Sequence, residues 1–211
     1  MTDILYKDTD IIVCLKRPGE LSQTGKPGER SLPSALEEEF GGTIYPVHRL
    51  DREAGGVMVF ARTKRAAAAL SAAIQEHKLE KEYVCIVRGT PAEECGSYVD
   101  LLLHDKQRNK TFVVNRMRGG VKEARLSYRV LAGNGERSLV RVSLQTGRTH
   151  QIRVQFASRK TPLVGDGKYG GGSGELALWS CHLAFPHPAS GEVMSFEQMP
   201  SGGDWAEFDR Q

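Results

Sequence analysis

The stretch IYPVHRLDREAGGVMVFA, residues 44–61, carries a cluster of charges between two apolar runs. TIYPVHRL and GGVMVFA have the composition of β-strands, and the charged DREA lies in the connection between them. An aspartate in such a turn most often bonds the local backbone, which is the favoured interpretation of Asp51 on position alone. Arg49 and Arg52 would favour an ionised carboxylate, and the apolar flanks would limit its hydration. The alternative is therefore a nucleophile or a base.

Around this stretch the sequence predicts more strands than helices. Helical spacing predicts three helices: SLPSALEEEF with a cap at Ser31 or Ser34, TKRAAAALSAAIQEHK capped by Thr63, and THQIRVQFASR with Thr149 as a plausible cap. Apolar or alternating runs predict strands at ILYKD, DIIVCLKRP, KEYVCIVRG, SYVDLLLHD, KTFVVN, EARLSYRVLAG, SLVRVSLQ, LALWSCHLAFPHP and VMSFEQMP. The connections are mostly of hairpin length. We expect an α+β fold with a mixed, largely antiparallel central sheet and flanking helices, in one domain of residues 1–211.

Composition excludes several classes of protein. With 39% hydrophobic and 26% charged residues in 211, the chain is typical of a folded globular protein. The sequence has neither an apolar run of bilayer length nor a signal-like N-terminus, so we expect a cytoplasmic protein. The four cysteines are scattered without metal-ligand spacing, which argues against a zinc site or a disulfide framework.

The segment from His104 to Arg129 is strongly basic, with only Asp105 and Glu123 as acidic residues. A polyanion is one partner for such a segment, and a solvated surface face is the other interpretation. Its eight basic residues are Lys106, Arg108, Lys110, Arg116, Arg118, Lys122, Arg125 and Arg129.

A second cluster lies in TGRTHQIR, residues 146–153. Arg148, His150 and Gln151 gather where a turn enters the predicted helix, and Arg153 follows one turn later. Helix starts attract anions, so this cluster favours an anion-binding or catalytic role over a capped surface helix.

Two further features are weaker signals. GDGKYG, residues 165–170, matches a dinucleotide-binding pattern but precedes GGSGE, a poor helix start, so we interpret it as a flexible loop. Tyr83 in a predicted strand is most often a core residue. Glycoside hydrolysis would need a second carboxylate opposite Asp51, and the sequence identifies no candidate.

Taken together, HRLDREAGGVMVFARTK, KEYVCIVRG, TGRTHQIRVQFASRKTPLVGDGKYGG and HLAFPHPASGE resemble the RluA-type family of RNA pseudouridine synthases. The similarity runs from about residue 5 to residue 200, in the family's motif order. It implies an α+β domain with an RNA-binding cleft and isomerisation of uridine in RNA to pseudouridine, with neither cofactor nor metal. Structured RNA, ribosomal or transfer, is the implied partner.

The resemblance also implies roles for individual residues. The family's catalytic aspartate corresponds to Asp51, its active-site tyrosine to Tyr83, and the arginine that pairs with the aspartate to Arg153. Arg49 corresponds to the residue that fills the space left by the extruded base. With these, we expect Arg148, His150 and Gln151 to contact RNA.

The chain also departs from the family pattern. After RLD the family commonly has Thr-Ser-Gly, whereas Ala54-Gly55-Gly56 stand here. Many relatives carry an additional N-terminal RNA-binding domain, and we expect this chain to act without one, as a monomer. Two alternatives remain open: an RNA-binding protein that has lost turnover, and an unrelated nucleotide-binding enzyme.

Overall fold

The computed structural model describes residues 2–25 and 28–208. The chain divides into two compact units. The first combines Met1–Lys81 with Trp179–Met199, and the second combines Glu82–Leu178 with Pro200–Gln211. Each unit therefore contains segments that are far apart in the sequence.

The first unit is built around one fully buried strand, β4. The strands of this unit are β1 (Asp3–Lys7), β2 (Ile11–Lys16), β3 (Tyr45–Pro46), β4 (Gly55–Ala61), β10 (Leu178–Pro186) and β11 (Val193–Glu197). Strand β4 pairs antiparallel with β2 and β3 and parallel with β10, while β1 and β11 pair antiparallel with β2 and β10. The parallel pair makes this a mixed sheet.

Two helices belong to the first unit, and both begin at caps that the sequence predicts. Helix α1 (Leu32–Phe40) begins after Ser31, whose side chain forms a capping box with Ser34. Helix α2 (Lys64–Gln75) begins after Thr63, whose hydroxyl accepts from the amide of Ala66 at 3.0 Å. The apolar face of α2 packs on the strands in a core that includes Ala66, Leu70, Val57, Val59, Leu183 and Phe185.

The second unit has five strands that all pair antiparallel. These are β5 (Glu80–Arg88), β6 (Cys95–Asp105), β7 (Lys110–Val114), β8 (Val121–Gly133) and β9 (Arg137–Leu144). Their order is β5-β9-β8-β6-β7. Buried and exposed positions alternate along β8, as expected for a sheet with one face against a core. The aromatic rings of Tyr98, Tyr128 and Phe156 pack together on that covered face.

Helix α3 (Gln151–Ala157) packs against strands of the second unit, and a 3-10 helix (Gly203–Glu207) follows near the end of the described chain. The residue before α3 is His150, which has a left-handed backbone (φ 54°) and makes no side-chain cap. The prediction that Thr149 caps this helix is therefore wrong. The hydroxyl of Thr146 accepts from the amide of Arg125 instead, so the approach to α3 is held by β8.

The architecture confirms the predicted α+β class with a mixed, largely antiparallel arrangement of strands. One predicted strand is wrong: of residues 43–50, only Tyr45–Pro46 pairs with a neighbour. Pro46 lacks an amide hydrogen and the charged turn begins two residues later, which ends the strand early. The organisation as a single catalytic domain stays a prediction. Within the described ranges, no helix is both long and apolar enough to cross a membrane.

Candidate active site

Asp51 lies in the loop that leads into β4. Its backbone carbonyl accepts from the amide of Ala54 at 3.1 Å, which closes a turn over residues 51–54. Before it, the amide and carbonyl of Leu50 both bond the buried hydroxyl of Ser22, at 3.2 and 2.7 Å. Asp51 is partly exposed, and Arg49 and Arg52 are exposed. The structure thus places a carboxylate at the surface of a loop whose backbone is anchored.

The Asp51 loop is also bound by Lys16, a fully buried residue at the end of β2. Its ammonium donates to the carbonyls of Ala54 (2.6 Å), Arg52 (2.9 Å) and Arg17 (3.1 Å). Burial lowers the pKa of Lys16 to about 8, although nearby carboxylates, among them Asp51, oppose the shift. The three carbonyls satisfy the three donors of the ammonium, so a buried charge holds the loop.

His48 anchors the start of the loop. Its Nε2 accepts from the amide of Val59 at 3.1 Å, so the neutral ring carries its proton on Nδ1. Within the described residues, buried Nδ1 has no hydrogen-bond partner. Burial, with a smaller contribution from the positive charge of Lys81, lowers the pKa of His48 to about 3.

Gly55 and Gly56, which correspond to the serine and glycine of the family's Thr-Ser-Gly, pack against β10. Gly56 has φ +119°, and a Cβ there would lie 2.3 Å from the carbonyl oxygen of Ser180. A Cβ on Gly55 would lie 2.3 Å from the indole ring of Trp179. Ala54 is buried. Side chains at both glycines are therefore excluded by neighbouring atoms.

In the second unit, Arg153 is buried on α3 and pairs with Asp166 of the GDGKYG loop. The guanidinium donates through Nε to Oδ2 at 2.7 Å and through Nη2 to Oδ1 at 2.8 Å. Such a bidentate pair fixes the plane of the guanidinium. Tyr83 lies on β5, 7% exposed, opposite Val142 of β9. Pairing of Arg153 with Asp51 stays a prediction.

The other predicted contact residues surround the start of α3. Gln151 is buried, and its side chain joins this turn to β8: Oε1 accepts from Thr146 and Arg148, and Nε2 donates to the carbonyl of Arg125 at 3.0 Å. The side chain of Arg148 donates to the carbonyl of Glu123 at 2.9 Å. RNA contacts by Arg148, His150 and Gln151 stay predictions.

The GDGKYG loop is held at several points, so our interpretation of it as flexible is wrong for Asp166 and Tyr169. The hydroxyl of Tyr169 lies 2.9 Å from Nδ1 of His150 and accepts from the amide of Thr111 at 2.7 Å. Its ring faces the guanidinium of Arg153 at 5.4 Å. Arg88 donates to the carbonyl of Gly171 at 2.8 Å.

The basic segment spans the end of β6, strand β7, the two hairpin connections on either side of β7 and the first part of β8. Lys106 to Asn109 connect β6 to β7, and residues 115–120 connect β7 to β8. Arg116, Met117 and Arg118 in the second connection are exposed. Four of the segment's eight basic residues lie in these connections, and the other four lie on β7 or β8: Lys110, Lys122, Arg125 and Arg129.

The structure distributes the predicted residues over the two units. Arg49 and Asp51 share one loop of the first unit, whereas Tyr83 and the cluster from Arg148 to Arg153 belong to the second. Sequence reasoning missed four residues that hold these side chains: Lys16, Asp166, Tyr169 and Trp179. Lys16 could have been found as the only charge in the apolar strand IIVCLK, and Asp166 and Tyr169 lie in GDGKYG, whose sequence suggests only a loop.

Solved structures with the same fold are pseudouridylate synthase domains. The chain matches human RNA pseudouridylate synthase domain containing 4 with a TM-score of 0.78 and 23% identity, over 94% of this chain and 88% of that one. It matches human RNA pseudouridylate synthase domain containing 1 with a TM-score of 0.78 and 22% identity, over 95% and 84%. At these identities the similarity defines the class of fold.

Sequence relatives then identify the family. Residues 10–158 match the family model described as RNA pseudouridylate synthase. A protein of Aquifex aeolicus named as an uncharacterized RNA pseudouridine synthase is 37% identical over 92% of this chain and 68% of its own length. A ribosomal large subunit pseudouridine synthase D of Zymomonas mobilis is 34% identical over 94% and 69%. The chain belongs to the RNA pseudouridine synthase family, as the resemblance predicts, and its activity is that of an isomerase acting on uridine in RNA.

Proposed function

We propose that this protein converts specific uridines of structured RNA, ribosomal or transfer, to pseudouridine, with Asp51 as the catalytic carboxylate. The observation that carries the assignment is the geometry of the Asp51 loop. A partly exposed carboxylate stands on a backbone that Lys16, Ser22 and the turn to Ala54 hold in place. A carboxylate that must meet one atom of a sugar benefits from such fixed placement.

The reaction requires that the bond between N1 of uracil and C1′ of the ribose breaks and that a bond between C5 and C1′ forms. Asp51 either attacks C1′ and displaces the uracil, or removes a sugar proton to leave a glycal. In both routes the uracil departs with the bonding electrons on N1. After the ring turns, C5 attacks C1′. In the first route the bond between C1′ and Asp51 breaks and releases the carboxylate, and in the second route the sugar proton returns from Asp51 to C2′. The C5 proton is then lost and N1 takes up a proton, so that atoms and charge balance.

The remaining roles follow from the family resemblance. Tyr83 stacks on the detached uracil and assists proton movement, and Arg153 supports the charge of the carboxylate. The bidentate pair with Asp166 supports this role because it fixes the orientation of a guanidinium that is otherwise difficult to keep buried. Arg49, exposed beside the carboxylate, fills the space left by the base that leaves the stack.

Recognition of the RNA rests on the basic hairpin ends and the start of α3. Arg116 and Arg118 project from the exposed connection between β7 and β8. Cations at hairpin ends contact phosphates, which position an RNA without reading its sequence. The name of the Zymomonas mobilis relative refers to the ribosomal large subunit, so ribosomal RNA is the first substrate to test.

The test is a map of pseudouridine across ribosomal and transfer RNA from cells that carry the gene, lack it, or carry the D51N variant. We expect at least one site to disappear on deletion and to stay absent with D51N. The matched control is D3N, because Asp3 is also a surface carboxylate but pairs with exposed Arg17, which directly follows β2. D3N should restore every site. A map that is unchanged by deletion would contradict the proposal.

A further inference from the structure

Gly55, the first residue of β4, has its side-chain position occupied by another residue. A Cβ built there would lie 2.3 Å from Cζ3 and 2.5 Å from Cε3 of Trp179, and 3.1 Å from Cδ of Pro18. The backbone of Gly55 is not left-handed, so the lack of space alone excludes a side chain. The indole thus lies directly against the backbone, four residues after Asp51.

The position of the indole is fixed from two directions. Its Nε1 donates to the carbonyl of Gln198 at 2.8 Å. The backbone of Trp179 lies opposite Gly55 at the start of the parallel pairing of β10 with β4, and Ser180 lies opposite Gly56. Because Gly56 also contacts the backbone of Ser180, the first two residues of β4 fit against β10 only as glycines.

This contact reaches the carboxylate through a very short segment. Ala54, next to Gly55, donates its amide to the carbonyl of Asp51 and accepts from the ammonium of Lys16 at 2.6 Å. The loop is therefore held at Ala54 by a buried charge and at Gly55 by an aromatic ring. A shift of the ring would move the turn that carries Asp51.

We propose that Trp179 is a positioning residue for Asp51. Its indole occupies the space where the family's Thr-Ser-Gly pattern would place a serine side chain. The ring thereby fixes the position of the first residues of β4, and with them the position of the Asp51 carboxylate. Residue 55 must be glycine to leave room for the indole of Trp179, and the serine hydroxyl common in the family is therefore absent at this position. This inference rests on the proposed role of Asp51.

The competing explanation is that Trp179 contacts the RNA. Its indole is partly exposed, and aromatic rings stack on unpaired bases. The two roles differ in kinetics. A positioning residue affects kcat with little effect on RNA affinity, whereas a stacking contact affects the KM for RNA.

The experiment measures kcat, KM and thermal unfolding for W179A, W179F, G55A and the double variant G55A/W179A, with an RNA that the wild-type protein modifies. We expect W179A to lower kcat by about 100-fold, because misplacement of a catalytic group by about 1 Å has that effect. The KM should stay close to that of the wild type. W179F should recover most of the rate, since a phenyl ring can still cover Gly55.

The double variant tests the contact itself. G55A should lower kcat strongly when Trp179 is present and only weakly when residue 179 is alanine, because the added methyl group then has room. Coupling of this kind is expected only between residues in contact. All four variants should remain folded at the assay temperature, which the thermal unfolding measurement checks. If W179A unfolds, the comparison of kcat and KM is made with W179F.

Three results would overturn the inference: a wild-type kcat in W179A, a change in KM alone, or additive effects of the two substitutions. D51N, measured in parallel, separates this inference from the proposed function. If D51N is inactive and W179A behaves as the wild type, only the positioning role fails. If D51N retains full activity, the proposed function fails whatever Trp179 does.

Discussion

Arg153 and Asp166 form an ion pair whose side chains are 4% and 0% exposed. Burial of both charges is costly, and the two parallel hydrogen bonds offset that cost only while both partners are present. Removal of the carboxylate charge would leave the guanidinium without this partner in the interior. The pair is therefore a requirement of the fold as well as a means of orienting Arg153.

We expect D166N to lower the free energy of unfolding by about 3–5 kcal/mol, the range for breaking a buried ion pair. Urea unfolding followed by circular dichroism measures it. The matched control is E123Q, which removes an exposed carboxylate paired with Arg125, and its effect on the free energy of unfolding should be much smaller. Equal effects of the two substitutions would show that the buried pair contributes nothing special.

His48 makes stability depend on pH, because burial lowers its pKa from 6.5 to about 3. The unfolded chain binds a proton at this residue between pH 6.5 and pH 3, and the folded chain does not. Stability from His48 is therefore complete above pH 6.5 and is lost as the pH falls towards 3, at up to about 1.4 kcal/mol per pH unit. Protonation would also turn the acceptor Nε2 into a donor that faces the amide of Val59.

The variant H48Q should flatten this dependence, since glutamine can accept from Val59 and does not titrate. Thermal unfolding between pH 7 and pH 5 measures the slope. The control is H77Q, at an exposed histidine of the same unit, which should keep the wild-type slope. An H48Q slope as steep as that of the wild type would contradict the assignment.

At this scale the sequence predicted the residues with a chemical signature and missed those with a supporting role. Asp51 could be proposed from its two arginines and apolar flanks. Trp179 could not, because nothing in ALWSC indicates that its ring would lie on a glycine more than a hundred residues away. Long-range packing of this kind depends on strand pairing, here β10 beside β4, which local patterns do not encode.

Among the elements, the hairpin of β6 and β7 is joined to the start of α3 by two hydroxyls. Tyr169 accepts from the amide of Thr111 on β7 and contacts Nδ1 of His150 just before α3. The hydroxyl of Thr111 donates to the carbonyl of Thr149 at 2.8 Å. The same hydrogen bonds therefore hold both the β6–β7 hairpin and the start of the helix that carries Arg153.

We expect Y169F to free the amide of Thr111 and to speed its hydrogen exchange about tenfold, in line with the loss of roughly 1–1.5 kcal/mol for one hydrogen bond. Hydrogen exchange followed by NMR measures it. The control is Y6F, which removes a tyrosine hydroxyl bonded to Asp8 in the first unit and should leave Thr111 unchanged. Unchanged exchange at Thr111 in Y169F would mean that the hydroxyl does not hold the hairpin.

Elements were predicted well where local chemistry determines them. Thr63 and Ser31 cap their helices as expected because a cap needs only a hydroxyl and a nearby amide. The start of α3 was predicted incorrectly because His150 takes a left-handed backbone, which hydrogen bonds from β8 and the GDGKYG loop support. Such tertiary constraints override local preference.

For the whole molecule, charge distribution matters more than the small net charge of +3. The exposed arginines at the end of the β7–β8 hairpin are expected to contact phosphates, each with release of counterions. Binding of RNA should then weaken as salt increases. The extent of that weakening reports how many phosphates the protein contacts.

We expect the double variant R116Q/R118Q to weaken RNA binding and to reduce the slope of log K against log salt by about 1.4, or about 0.7 per lost phosphate contact. Filter binding at several salt concentrations measures the slope. The control is R30Q, an exposed arginine of the first unit that is paired with Glu38. If R116Q/R118Q and R30Q gave the same slope of log K against log salt, the RNA would not contact the β7–β8 connection.

The central claim, that Asp51 performs the isomerisation, is tested most directly by release of the hydrogen from C5 of uridine. The measurement uses a substrate RNA labelled with tritium at C5 and compares wild-type protein, D51N and D3N, with RNA affinity determined for each. We expect release by the wild type and D3N, and none above background by D51N, although D51N binds the RNA with similar affinity. Tritium release by D51N at the wild-type rate would contradict the account.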